Sequence, residues 1–126
     1  MFVIRENENI WLNPFLLQPI DAEEIPIDGG PWFDIESAYG YGGPLSNTED
    51  LTFLRNAQKQ FNQWCKKNNV VAEFIRFHPL LNNHTWADQE KDIEYDRNTV
   101  SQNLKNFDAD NPPFSGKVRN MIKRVD

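Results

Sequence analysis

At 126 residues and 14.8 kDa, 39% hydrophobic with nine Phe and four Trp, the chain can bury one core and is not a disordered tail. A net charge of −6 and a pI near 4.9 exclude the basic field that general binding to DNA or RNA needs. No apolar run approaches the roughly 18 residues of a membrane-spanning helix, and the single cysteine, Cys65, excludes an internal disulfide.

With no signal peptide at its start, the chain is expected in the cytoplasm as one domain over 1–126. Charge is uneven along it. Residues 1–50 carry ten acids against Arg5, and the last twelve carry Lys117, Arg119, Lys123 and Arg124 against Asp126. The two readings of this asymmetry are attraction between the oppositely charged ends across the fold and, as the plainer one, a solvated basic helix face.

Three short β-favouring pieces open the chain: 2–4, 10–12 and 15–17. The run Glu6-Asn7-Glu8-Asn9 predicts a hairpin turn between the first two. Pro14 and Pro19 confine the third to a short strand or a sheet edge. A turn is expected at Asp28-Gly29-Gly30-Pro31, then a brief apolar run from Trp32 to Ile35.

Next comes Tyr39-Gly40-Tyr41-Gly42-Gly43-Pro44, which holds three of the six glycines and two of the three tyrosines. A helix is predicted over about 48–67. Ser46 with Glu49 fits a capping box, Leu51, Leu54, Ala57, Phe61, Trp64 and Cys65 recur at helical spacing, and Asn68-Asn69 supplies a stop. Residues 70–77 read as a buried strand apolar on both faces, giving a mixed α+β class. A polar connection over 79–92, a further strand over 92–104, a loop over 106–113 and a helix over 114–125 complete the reading.

Two segments carry the candidate site. In the turn 39–44, glycines without a Cβ let backbone N–H groups come close to a ligand, while the tyrosines add amphipathic surface. It is neither a Walker loop nor a Gly-x-Gly-x-x-Gly fingerprint. The plain alternative is a tight turn with its tyrosines packed on the sheet.

At the end of the 70–77 strand, Arg76 and His78 share one face and Pro79 stops the strand. Arg76 suits a phosphate or carboxylate clamp; the alternative is an ion pair with an acid such as Glu36. His78 either binds substrate or fixes the turn. Glu73 falls on the apolar face and reads as a general base or as a partner for Arg97 or a lysine. Asp34 and Glu36 are placed to hold tyrosine hydroxyls or backbone N–H groups. No metal site is expected, since His78 and His84 stand six apart across a proline and Cys65 reads as a small core hydrophobe.

The stretch from Asp34 to Pro44, together with Val71-Ala72-Glu73-Phe74-Ile75-Arg76-Phe77-His78-Pro79-Leu80 after a helix, resembles the GNAT-fold acyltransferases akin to the Fem peptidoglycan aminoacyltransferases. Arg97 to Leu104 and Lys117 to Lys123 follow the same pattern, so the likeness spans nearly all of the chain. It implies a GNAT-like sheet flanked by helices, here the N-terminal half of the domain. The implied activity is acyl or aminoacyl transfer in bacterial cell-envelope or polysaccharide biosynthesis.

Acyl-CoA or aminoacyl-tRNA is the implied donor, with tRNA a partner only in that sense and no tightly bound cofactor. A small molecule or an envelope precursor is the implied acceptor. The resemblance points to Tyr39, Gly40, Tyr41, Gly42, Gly43, Arg76 and His78 as substrate-binding, with the N–H groups of Gly42 and Gly43 as oxyanion donors and no assigned catalytic base. Ala38 stands where the family usually has proline, and no Arg/Gln-x-x-Gly-x-Gly/Ala pyrophosphate loop is present. The competing readings are a non-catalytic half-domain that associates with another half, or dimerises through exposed apolar surface, and a small-ligand binder without chemistry.

Overall fold

Phe53, Leu54, Ala57 and Phe61 form one buried stripe on helix α1 (Leu51–Lys67); Leu54, Ala57 and Phe61 belong to the expected spacing and Phe53 does not. Leu51 lies outside the stripe and is exposed. The N-cap also differs from the expected capping box. Asp50 caps the helix, its Oδ1 accepting from the N–H groups of Thr52 (2.8 Å) and Phe53 (3.4 Å). Ser46 sits in a strand, where its hydroxyl donates to the Ile10 carbonyl at 3.0 Å. Asp50→Ala is expected to cost about 1 kcal/mol, a fall in Tm of about 4–8 °C by calorimetry.

The computed structural model describes residues 1–21, 23, 29–88, 93–101, 103, 105, 108 and 114–122. It divides into two compact units, Met1–Tyr95 and Asp96–Asp126. The first unit is α+β with two three-stranded sheets. In one, β1 (Phe2–Glu6), β2 (Asn9–Asn13) and β5 (Leu45–Ser46) pair antiparallel in the order β1-β2-β5. Its hairpin turns at Asn7, whose φ of 54° asparagine tolerates better than most residues.

The other sheet has the order β3-β4-β6. Here β3 (Leu16–Pro19) pairs antiparallel with β4 (Phe33–Glu36), and β4 runs parallel to β6 (Val70–Phe74). As the prolines predict, β3 is an edge strand. Against the expectation of a strand covered on both faces, β6 has one face open: Ala72, Phe74 and Arg76 are exposed while Glu73, Ile75 and Phe77 are half-buried. A register shift at Val71 against Phe33 and Asp34 sets this alternation.

Helix α1 packs on both sheets. The core joins Trp11, Ile35 and the α1 stripe, with Phe2, Phe15 and Trp64 packed around it. Phe61 and Trp64 stack at 6.1 Å and 10°, and Phe2 and Phe15 tilt against both rings. Cys65 is half-buried.

Of the expected 92–104 strand, residues 93–101 form no strand, and Ile93, Tyr95 and Val100 are exposed. Asp92, Gln102 and Leu104 lie outside the described residues. In the second unit, helix α2 (Gly116–Ile122) covers the described part of the expected C-terminal helix. Phe114 and Ser115 precede it, and residues 123–126 are not described. Arg97 pairs with its neighbour Asp96 at 2.6 Å.

Candidate functional site at the turn–strand junction

The turn 39–44 and the end of the 70–77 segment meet in space. The Gly42 N–H donates to the Arg76 carbonyl at 2.8 Å, and Gly42 and Phe77 form a parallel bridge. This contact continues the β4–β6 pairing, since the Ser37 N–H donates to the Phe74 carbonyl at 2.9 Å and the Arg76 N–H to the Ser37 hydroxyl at 3.1 Å. The glycines permit the approach. A Cβ on Gly42 would stand 2.8 Å from Ser37 Cβ, and one on Gly43 would stand 2.9 Å from Ile75 Cγ2.

A residue of the 79–92 connection, given no role in the sequence reading, locks the junction. Asn83 is 1% exposed. Its Nδ2 donates to the carbonyls of Gly42 (2.8 Å) and Pro44 (3.2 Å), and its Oδ1 accepts from the His78 N–H at 2.9 Å. The short 3-10 turn carrying it, Asn83–Trp86, is tied down further by the Trp86 carbonyl, which accepts from Trp11 Nε1 (3.0 Å) and Gln58 Nε2 (2.8 Å).

Side-chain directions follow from this packing. Ile75 and Phe77 both line the site of Gly43, so strand alternation turns Arg76 to the opposite, open face. The Tyr41 ring meets the His78 ring edge-on at 5.8 Å. Tyr41 and Arg76 are exposed, and His78 is half-buried. Tyr39 is fully exposed and a Cβ on Gly40 would meet nothing within 4 Å, so that end of the turn projects into solvent.

The sequence-predicted residues thus divide. Tyr41, Arg76 and His78 share one rim, Tyr39 and Gly40 extend from it, and Gly42 and Gly43 pack beneath it. The Gly42 N–H that the family likeness would offer to an oxyanion is already bonded to Arg76, and Gly43 is buried.

The carboxylates are engaged elsewhere. Glu36 accepts from Gln18 Nε2 at 2.6 Å, and among the described residues Arg76 makes no ion pair with it. Glu73 accepts from Nδ2 of buried Asn13 at 2.9 Å. Asp34 makes no contact with a tyrosine hydroxyl among the described residues.

A shallow surface depression near this pair, bordered by Asn13, Phe15, Glu36, Ser37, Glu73 and Phe74, encloses about 0 Å³ and is no small-molecule pocket. Tyr41, Arg76 and His78 do not line it. Among the described residues, no group of three or more His, Cys, Asp or Glu could hold a metal ion. Nor is any described helix long and apolar enough to cross a membrane.

No family model, curated protein or solved structure matches this chain.

Proposed function

We propose that the chain supplies the substrate-binding face of an acyl- or aminoacyl-transferase of GNAT type, related to the Fem enzymes and acting on a bacterial envelope or polysaccharide precursor. The observation that carries this reading is the Gly42–Arg76 backbone bridge. It sets the tyrosine-glycine turn beside the strand end whose guanidinium has no ion pair among the described residues. Arg76 anchors an anionic group of the substrate, Tyr41 lines the acceptor side, and His78 stands between turn and strand. The open form of this face suits a site closed by a further surface. A donor thioester would acylate an amine or hydroxyl there, releasing the thiol.

The test is thiol release from acyl-CoA in the presence of amine acceptors, with Arg76→Ala as the comparison. The expected result is turnover whose kcat/KM falls by ~10-fold or more in the variant, the scale of one charged hydrogen bond. Absence of turnover, with both acyl-CoA and aminoacyl-tRNA as donors, would overturn the reading.

A second reading, a non-catalytic half-domain that associates with another half or a second copy, is favoured by one observation. Leu16 and Leu17 on β3 and Phe74 on β6 are exposed on the two outer strands of the β3-β4-β6 sheet. An inert chain that is dimeric in analytical ultracentrifugation would support it.

A further inference from the structure

The amide of Leu80 donates to His78 Nδ1 at 3.2 Å, in the turn whose Leu81 N–H also reaches back to the His78 carbonyl at 3.3 Å. A ring nitrogen that accepts a hydrogen bond carries no proton, so neutral His78 holds its proton on Nε2. That Nε2–H has no partner among the described residues. Arg76 stands two residues earlier beside the Gly42–Phe77 bridge, its side chain placed by alternation opposite Ile75 and Phe77, and offers a five-donor guanidinium to a shared oxyanion. The Gly42 N–H is spent on the Arg76 carbonyl and is not among the donors this rim offers.

We infer that Arg76 and the Nε2–H of His78 form a two-donor clasp for a phosphate- or carboxylate-type oxyanion, with the Tyr41 ring as its apolar wall. This rests on the substrate-site reading above and deepens it by naming the chemistry of the group bound. In the clasp His78 is a donor, held in one tautomer by backbone. It does not serve as the general base, because the nitrogen that would take a proton is already occupied.

The experiment uses the full chain with ¹⁵N-labelled histidine and inorganic phosphate as the probe, with sodium acetate as a second arm that separates phosphate from carboxylate preference. The chain has two histidines, and His84→Gln assigns the signals. Long-range ¹H–¹⁵N spectra at a pH where His78 is neutral are expected to show the Nε2–H tautomer. Phosphate or acetate should then shift its Nε2 saturably, with affinity reduced ~10-fold in Arg76→Ala.

His78→Asn is the discriminating variant. Its Oδ1 can still accept from the Leu80 N–H, so the turn is kept, but the Nε2–H donor is gone. It should fold as wild type and lose ~10-fold in anion affinity, read for all variants by isothermal titration calorimetry because this one has no imidazole at 78. An Nδ1–H tautomer at His78, an anion affinity that both variants leave unchanged, or binding of neither anion would each overturn the clasp. Turnover without anion binding removes the clasp and leaves the transferase reading. Binding without turnover keeps the clasp and removes the enzyme.

Discussion

Asn83→Asp is expected to destabilise the chain by about 3–5 kcal/mol at neutral pH, the scale of an uncompensated buried charge. The two side chains are nearly the same shape, so the effect isolates chemistry. Oδ1 can still accept from the His78 N–H, but the donor to Gly42 and Pro44 becomes an anionic oxygen facing two carbonyls. Protonation of the introduced carboxyl restores one donor, so the native state holds that proton more tightly than the unfolded chain does. Stability must then fall as pH rises. The deficit against wild type should be smallest near pH 4, the ordinary carboxyl range, and grow toward neutrality. Denaturant melts at the two pH values measure it; equal stabilities at neutral pH would show that Asn83 does not hold the junction.

Gly43→Ala should cost about 2–4 kcal/mol, combining backbone strain with overpacking. Its φ is 97°, where a side chain is unfavourable, and the new methyl would sit 2.9 Å from Ile75 Cγ2 and 3.1 Å from both Asn83 Nδ2 and Phe77 Cδ1. None of the three can retreat easily. Asn83 is fixed by its hydrogen bonds, and Ile75 and Phe77 belong to the strand end that the turn must touch. Gly40→Ala is the internal control. Its φ of 100° is equally unfavourable but the space around it is open, so only strain remains, about 1–2 kcal/mol. Chemical denaturation of the pair separates packing from backbone preference, and equal losses would refute the close approach at Gly43.

Periodic elements were legible in the sequence because burial imposes them. The α1 stripe follows from apolar spacing, and the first hairpin from a polar turn between two apolar runs. Edge effects were less visible. Residues 70–77 are apolar enough to read as a central strand, yet the register shift at Val71 turns Phe74 outward. The Ser46–Glu49 spacing imitates a capping box, but Ser46 is committed to the Ile10 carbonyl and Asp50 caps instead.

At the site, local composition singled out Tyr41, Arg76 and His78, and the structure brings them together. It did not single out Asn83, since one asparagine among several polar residues carries no periodic or compositional mark. Its role appears only when Gly42, Pro44 and His78 surround it. The pairing of Glu73 with Asn13, sixty residues apart, was likewise beyond any reading of local pattern.

The account stands on the contact between the turn and the strand end, and proton–proton distances in solution measure it directly. Nuclear Overhauser effects are expected between the ring protons of Tyr41 and His78 and between the Gly42 amide proton and Phe77, with the Gly42 amide protected from hydrogen exchange. A rapidly exchanging Gly42 amide, with Tyr41 showing no proximity to His78, would contradict it.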